Sequence, residues 1–113
     1  MDIIKEKWKQ IFDTKYEISN YGRVKSFQYG KEKILKPTQN KSGYLEIGLM
    51  IKPNVRKWFL VHRLVMIVFY PNENYHNLEV NHKDENKKNN RIDNLEWITS
   101  KDNCNYGTRN FRL

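Results

Sequence analysis

The sequence predicts an α+β fold in which a small antiparallel N-terminal sheet is followed by a ββα hairpin-plus-helix unit. Three observations favour this fold. Short alternations of apolar and polar residues, separated by turn residues, occupy the first half and are typical of half-buried strands. Residues 63–69 have the apolar spacing of a short helix. Two strand-like runs around a polar loop follow, and then a residue able to cap a helix.

The first predicted strands are short and end at turns. Tyr16 and Ile18 alternate with polar residues, and the turn after them contains Gly22, which is free to take a positive φ. A second apolar run, residues 33–36, stops at Pro37, because proline has no N–H to donate to a sheet. These runs predict a small antiparallel sheet.

A longer hairpin and a helix are predicted next. Residues 44–51 alternate as a strand, residues 53–54 form a turn, and residues 56–62 return as a second strand that His62 closes. Residues 63–69 follow as a buried helix, although several of them are β-branched.

The C-terminal part predicts a hairpin around a polar loop. A strand at residues 78–80 leads into His82, residues 83–93 form the loop, and residues 95–98 form the partner strand. Asn94 stands at the start of the second strand, from where its amide can hydrogen-bond across the loop and hold the shape of that loop.

A final helix completes the unit. Thr99 or Ser100 can cap this helix, and Gly107 is expected to end it. A ββα unit brings the end of its first strand next to the first turn of its helix, so His82 and Asn103 are expected to face each other.

The chain is strongly basic, with a net charge of +8 and a pI of about 9.6. The charge is uneven, because residues 1–60 hold 13 of the 21 Lys and Arg residues but only 6 of the 13 Asp and Glu residues. A positive field favours a polyanion through phosphate contacts and counterion release. The sequence therefore indicates a nucleic acid as partner, the alternative being a basic but inert surface.

Other classes of protein are disfavoured. At 113 residues the chain is expected to form one compact unit. It has no apolar run of about 18 residues that could span a membrane, and its first residues do not resemble a signal peptide. Cys104 is the only cysteine, which excludes an internal disulfide and disfavours a closed zinc site. We therefore expect a cytoplasmic protein with neither a membrane nor a disulfide-linked partner.

A small set of side chains could carry chemistry. His82 follows Asn81 at the end of a strand, and Asn103 lies on the predicted helix. An imidazole can accept a proton near neutral pH, and amide oxygens can hold a hard metal ion. On a basic chain, this combination points to hydrolysis of a phosphodiester backbone.

At these residues the chain resembles the HNH endonucleases of phages and mobile introns, which have a ββα-metal site. The residues that carry the resemblance are Val80, Asn81, His82, Lys83 and Asp84, residues 89–99, and Asn103, preceded by residues 61–65 and Phe69. Residues 8–26 also resemble a small DNA-binding module that is often fused ahead of such nucleases, through Trp8, Ile11, Tyr16, Ser19, Asn20, Gly22, Arg23 and Val24.

The resemblance implies a role for each residue of the site. His82 would be the general base that takes a proton from the attacking water, and Asn81 and Asn103 would ligate one Mg²⁺ or Mn²⁺ ion. Asn94 would brace the loop that orients His82. The expected substrate is double-stranded DNA, cut to 5′-phosphate and 3′-hydroxyl ends, and a phage or mobile element in a bacterial host is the expected origin.

The resemblance also divides the chain, into a basic DNA-binding module at residues 1–57 and a nuclease unit at residues 58–113. The predicted contacts to the DNA backbone lie on the N-terminal strands and in the polar loop, where an ordinary solvated loop is the alternative. They are Arg23, Lys25, Lys33, Lys36, Lys87, Lys88 and Arg91. A monomer would nick one strand, and a chain ending at Leu113 is expected to have modest sequence specificity.

Two departures from the family pattern keep alternatives open. Some relatives carry aspartate at the position of Asn81, so a catalytically inactive DNA-binding or phage-assembly protein is the second hypothesis, and RNA binding or cleavage is a third. Glycine often follows Asp84 in the family, whereas Glu85 stands here, which predicts either a strained turn or a different loop. Trp58 and Trp97 are interpreted as core residues, and His62 as either packing between the sheet and the following helix or touching the DNA backbone.

Overall fold

A computed structural model describes residues 4–104 of the chain. Its first sheet has four short antiparallel strands, in the order β1-β2-β3-β4. These strands are β1 (Trp8–Gln10), β2 (Tyr16–Ser19), β3 (Val24–Ser26) and β4 (Lys33–Leu35). The turn between β2 and β3 contains Gly22 at φ +87°, the left-handed conformation that the sequence predicts for this glycine.

The second sheet is built on one long hairpin. Strand β5 (Thr38–Gln39) pairs with β6 (Leu45–Lys52), and β6 pairs with β7 (Val55–Leu60). Helix α1 (Val61–Phe69) begins directly after β7. Buried Val61, Leu64 and Val65 lie at helical spacing and give α1 its apolar face.

The third sheet is the hairpin of β8 (Glu79–His82) and β9 (Leu95–Ile98), followed by α2 (Ser100–Cys104). His82 pairs with Leu95 at the open end of the loop between the strands. The Thr99 hydroxyl accepts a hydrogen bond of 3.2 Å from the Asp102 N–H, as a helix cap does. The predicted helix end at Gly107 lies outside the described residues.

One apolar core joins the three sheets around α1. Ile18 comes from the first sheet, Leu49 from the second, and Leu95 from the third, and all three belong to one cluster with Leu64 of α1. In addition, the Tyr16 hydroxyl accepts a hydrogen bond of 3.0 Å from the Met50 N–H, which ties the first sheet to the second. Through this core the β8–β9 hairpin is fixed to α1 and to the first and second sheets.

The predicted α+β class, with an antiparallel sheet before a ββα unit, is confirmed. The expectation that His62 closes a strand is wrong, because α1 begins at Val61 and His62 is its second residue. Trp97 packs against the core as predicted, but Trp58 is 58% exposed. The reason is that β7 is an edge strand, and Trp58 lies over Gly48 on a face that the core does not cover.

The helices in the described part of the chain are short, and neither has the length and apolar character needed to span a membrane.

Candidate active site

His82 is the last residue of β8 and is 5% exposed. Its Nε2 atom lies 2.8 Å from the Oδ1 atom of Asn90, a residue of the loop between β8 and β9. The imidazole also lies beside the rings of His62 and Tyr44, with centroid distances of 5.0 and 5.9 Å. The ring is thus held on one edge by a hydrogen bond and on its faces by other rings.

The bond to Asn90 determines which nitrogen of His82 can accept a proton. An amide oxygen only accepts hydrogen bonds, so Nε2 of His82 carries the hydrogen and Nδ1 keeps its lone pair. Burial lowers the pKa of His82, and the hydrogen bond to Asn90 opposes that shift. The ring is therefore neutral at neutral pH, with Nδ1 as its basic atom.

His62 packs between two rings, at 4.9 Å from Tyr44 and 5.0 Å from His82. Burial lowers the pKa of His62 to about 3, so this ring is neutral as well. Its Nδ1 atom is buried and has no hydrogen-bond partner among residues 4–104. His62 is thus a packing residue, but the predicted place between the sheet and the helix is wrong, because His62 belongs to α1 itself and packs against Tyr44 and His82.

Asn94 spans the loop that carries Asn90. Its Oδ1 accepts a hydrogen bond of 3.1 Å from the Asp84 N–H, and its Nδ2 donates to the Asp84 carboxylate and to the Asn89 carbonyl, both at 2.9 Å. The Asp84 carboxylate also accepts from the side chain of Asn89 at 2.8 Å. Hydrogen bonds from Asn89, Asn86 and Asn94 lower the pKa of Asp84, which keeps the loop anchored on a charged group.

Glu85 adopts φ +62°, in the left-handed region that favours glycine. Its N–H donates a hydrogen bond of 2.9 Å to the His82 carbonyl, which closes a tight turn directly after β8. Of the two possibilities that the sequence leaves open, the strained turn is the correct one.

Asn81 lies on the opposite face of β8 from His82, because successive strand residues alternate. Asn81 is 2% exposed, and neither Oδ1 nor Nδ2 of its amide has a hydrogen-bond partner among the described residues. An unsatisfied buried amide costs roughly 1–3 kcal/mol, so this side chain suits a bound group that would complete it.

Asn103 lies on α2 and donates a hydrogen bond of 2.6 Å from Nδ2 to Oε1 of Glu79. Glu79 precedes Asn81 by two residues and shares its face of β8. The structure therefore brings Asn103 to the face of Asn81, while the His82 ring projects from the other face. That His82 and Asn103 face each other stays a prediction.

A metal at this place would have oxygen ligands. In the described part of the chain, no three His, Cys, Asp or Glu side chains cluster in a way that could hold an ion. The amides of Asn81 and Asn103, with the Glu79 carboxylate beside them, form a donor set that a hard divalent cation prefers. The buried, unpartnered amide of Asn81 fits such an ion.

The basic residues of the loop between β8 and β9 differ in the contacts that they make with other residues. Lys87 donates a hydrogen bond of 2.7 Å to the Ser42 carbonyl and lies 4.7 Å from the centre of the Tyr44 ring. Arg91 forms an ion pair with Asp93 at 3.3 Å and stacks on Tyr21. Lys88 is exposed to solvent.

The basic residues of the N-terminal strands lie on two faces. Arg23 and Lys25 flank Trp8, and each forms an ion pair with a glutamate, Glu6 or Glu32. Lys33 and Lys36 lie elsewhere, beside a groove of about 300 Å³ between β4 and the second sheet. Arg56 and Trp58 also line this groove.

Two residues of the site escaped the sequence reasoning. Asn90 is 4% exposed and contacts His82, and Glu79 holds Asn103. Asn90 is one of several asparagines in the loop, and no local pattern distinguishes it from its neighbours. The sequence does carry a signal for Glu79. It stands two residues before Asn81, and residues two apart in a strand lie on the same face.

Comparison with known proteins shows which proteins the chain is similar to. Residues 6–50 match the model of the NUMOD4 motif, and residues 59–104 match the model of an HNH endonuclease family. An uncharacterized HNH endonuclease, L245, of Acanthamoeba polyphaga mimivirus is 46% identical over 106 residues, which cover 92% of this chain and 30% of that protein. DNA endonuclease I-HmuI of Bacillus phage SP01 is 46% identical over 100 residues, which cover 86% of this chain and 55% of that protein.

A solved structure gives the same picture. The structure of DNA binding and cleavage by the HNH homing endonuclease I-HmuI matches with a TM-score of 0.81 and 42% sequence identity. The match covers 95% of this chain and 60% of that chain. The present chain thus spans between about a third and somewhat over half of the length of these relatives.

The hydrogen bonds of Asn94 lead to a first prediction. We expect Asn94→Ala to lower the free energy of unfolding by about 1–3 kcal/mol, because it removes three side-chain hydrogen bonds and takes the Asn94 amide away from the Asp84 N–H and the Asn89 carbonyl. Urea denaturation measures this loss. Asn77→Ala, at an exposed position, is the control and is expected to change stability by less than about 0.5 kcal/mol. Equal effects of the two substitutions would show that the loop holds its shape without the Asn94 amide.

Proposed function

We propose that this chain, which belongs to the HNH endonuclease family, hydrolyses phosphodiester bonds of double-stranded DNA with the help of a divalent metal ion. The observation that carries the proposal is the state of His82. Its ring is buried, neutral and held through Nε2, which leaves Nδ1 as a base. A neutral base at the end of a strand whose other face carries two amide ligands supports metal-assisted hydrolysis of a phosphodiester.

His82 acts as the general base in this proposal. Nδ1 takes a proton from the water that attacks phosphorus, and Asn90 holds the ring so that this atom faces the substrate. The direction of the His82 pKa shift supports the role, because a lowered pKa keeps the lone pair free at neutral pH. Positioned proton transfer of this kind contributes roughly 10²–10⁴-fold in rate.

Asn81 and Asn103 would hold a metal ion, Mg²⁺ or Mn²⁺, through their side-chain oxygens. When bound, the ion supplies electrostatic stabilisation of the charge that develops on the phosphate and on the departing 3′ oxygen. Glu79 holds the Nδ2 of Asn103 and thereby orients its amide. Glu79 also adds a negative charge on the face of Asn81, where a neutral amide stands.

Asn94 has a supporting role. It contacts Asp84 and Asn89 at the two sides of the loop, and its own carbonyl accepts a hydrogen bond of 2.8 Å from the Lys83 N–H. Through these bonds it sets the path of the loop on which Asn90 reaches His82. We therefore assign Asn94 to the shape of the site and not to a step of the reaction.

The N-terminal part, residues 1–57, serves mainly in DNA contact, and residues 58–113 form the nuclease unit. The groove lined by Lys33, Lys36, Arg56 and Trp58 combines positive charge with an exposed ring, as surfaces that bind a phosphate backbone do. Arg23 and Lys25 form ion pairs with glutamates, and we therefore assign them a smaller part in DNA binding. Lys87, Lys88 and Arg91 lie in the loop that follows His82 and contact phosphates nearer the cut.

One His82-centred site per chain cuts one strand, so the monomer acts as a nickase. The relatives come from a phage and a giant virus, and we propose a phage or mobile element as the origin of this chain, with action in the cytoplasm of the host.

Plasmid nicking tests the function. With supercoiled plasmid and Mg²⁺ or Mn²⁺, the wild type is expected to produce open circles, and EDTA is expected to stop the reaction. His82→Ala is expected to lower the rate by about 10²–10⁴-fold while DNA binding remains. His76→Ala, which changes an exposed histidine, is the control. Absence of nicking by the wild type, or equal nicking by His82→Ala, would favour the non-catalytic DNA-binding hypothesis.

Metal binding tests the ligands. Asn81→Asp is expected to tighten Mn²⁺ binding by about fivefold or more, because one unit charge at 4 Å contributes about 1 kcal/mol even in bulk water. Isothermal titration calorimetry without DNA measures the affinity. Asn77→Asp introduces the same charge at an exposed position that is not one of the proposed ligands. An increase of the same size in both variants would remove Asn81 from the metal site.

Salt dependence of DNA binding tests the surface. Replacing Lys33 and Lys36 by alanine is expected to lower the slope of log Kd against log salt by about 1–2, the loss of one or two phosphate contacts. Replacing Arg23 and Lys25 removes the same charge but is expected to change the slope by less than about 0.5. Fluorescence anisotropy with a labelled duplex measures both. A larger effect of Arg23 and Lys25 would move the contact to the Trp8 face of the first sheet.

A further inference from the structure

The turn between β2 and β3 lies against the loop that carries Asn90. A Cβ atom built on Gly22 would lie 2.7 Å from Cβ and 2.9 Å from the carbonyl oxygen of Asn90. Distances this short exclude any side chain at residue 22 unless Asn90 moves. The fit is tight because the neighbouring atoms belong to the backbone and to Cβ, and not to the end of a flexible side chain.

A hydrogen bond joins the same two segments. The Asn20 carbonyl accepts a bond of 2.8 Å from the Ile92 N–H, two residues beyond Asn90. The Arg91 guanidinium also stacks on the Tyr21 ring at 4.3 Å. The turn therefore contacts three consecutive residues of the loop, in the order 90, 91 and 92.

The turn itself is held firmly. The hydroxyl of buried Ser19 accepts hydrogen bonds from the N–H groups of Tyr21 and Arg23, at 3.1 and 3.2 Å. The Asn20 side chain accepts from the Lys7 N–H at 2.8 Å and donates to the Lys5 carbonyl at 2.9 Å. A rigid turn of this kind transmits its position to whatever packs on it.

Asn90 connects the turn to the imidazole. Its backbone and Cβ contact Gly22, and its amide oxygen holds Nε2 of His82 at 2.8 Å. A displacement of Asn90 by an added methyl group at residue 22 would change the distance or the angle of that bond. Direct contacts thus connect the first sheet, through Asn90, to the imidazole of His82.

We propose that the turn at residues 19–22 is a positioning element of the nuclease site, with Gly22 setting the place of Asn90 and Asn90 setting the tautomer and orientation of His82. The N-terminal motif then completes the active site, in addition to any contact that it makes with DNA. The inference depends on the proposed function for its effect on cleavage, whereas the geometric link can be measured without cleavage.

Two glycine substitutions test the proposal. Gly22→Ala and Gly30→Ala both place alanine at a positive φ, +87° and +73°, so both carry a similar backbone penalty. Only Gly22→Ala meets a neighbour, because no atom lies within 4 Å of a Cβ at Gly30. Gly22→Ala is expected to lower kcat by about 10- to 100-fold, as a misplacement of a catalytic group does, with Kd for DNA within about twofold of the wild type.

The ¹⁵N chemical shifts of the His82 ring provide a readout that is independent of activity. In the wild type and in Gly30→Ala, Nε2 is expected to show the shift of a protonated nitrogen and Nδ1 that of an unprotonated one. In Gly22→Ala the two shifts are expected to move towards a mixture of tautomers. Unchanged shifts and unchanged kcat in Gly22→Ala, or an equal loss of kcat in Gly30→Ala, would overturn the proposal.

Asn90→Ala gives a second test that does not depend on how well Gly22→Ala folds. Alanine keeps the Cβ that packs beneath the turn but removes the amide from His82. It is expected to lower kcat and to change the ring shifts to the same extent as Gly22→Ala, and the double variant is expected to lose little more. Wild-type ring shifts in Asn90→Ala would overturn the proposal. If the wild type cuts no DNA, the proposed nuclease function is wrong. The ¹⁵N shifts of the His82 ring still test whether the turn positions His82 through Asn90.

Discussion

The hydrogen bond between His82 and Asn90 is the interaction on which the rest of the site depends. It joins a buried ring to a buried amide, so neither group can turn to water if the other moves away. The bond forms only if the β8–β9 loop brings Asn90 back to the end of β8. Hydrogen bonds between Asp84 and Asn94 hold the loop in this path. One neutral hydrogen bond therefore links the chemistry of the base to the folding of a polar, otherwise weakly ordered segment.

Much of the fold follows from local patterns. Alternation predicted β2 and β6, proline marked the end of β4, and the spacing of apolar residues predicted α1. The wrong predictions concern places where an apolar run continues from a strand into a helix, or where the sequence does not show which side chains are covered by the core. The apolar run of β7 passes directly into α1, which put His62 in the wrong element. Trp58 was predicted to be a core residue, but it lies on a face of β7 that the core does not cover.

The site was only partly accessible from sequence. His82, Asn81, Asn94 and Asn103 were found because they occur in a recognisable order with a recognisable spacing. Asn90 and Glu79 were not, because what singles them out is a contact to a residue that is distant in the chain or on another element. The face of β8 that each group occupies was also missed, although strand alternation alone separates Asn81 from His82.

The close approach of Gly22 to Asn90 has a consequence for how such proteins recombine. The segments that match the two family models meet at this contact, so they are fitted to each other at atomic distance and not merely tethered. A chimera that took one segment from each of two parents would inherit a turn and a loop shaped by different neighbours. Exchange between homologues is thus constrained to units that carry both sides of the contact, and the β6–β7 hairpin between the two matched segments is a poor place to cut.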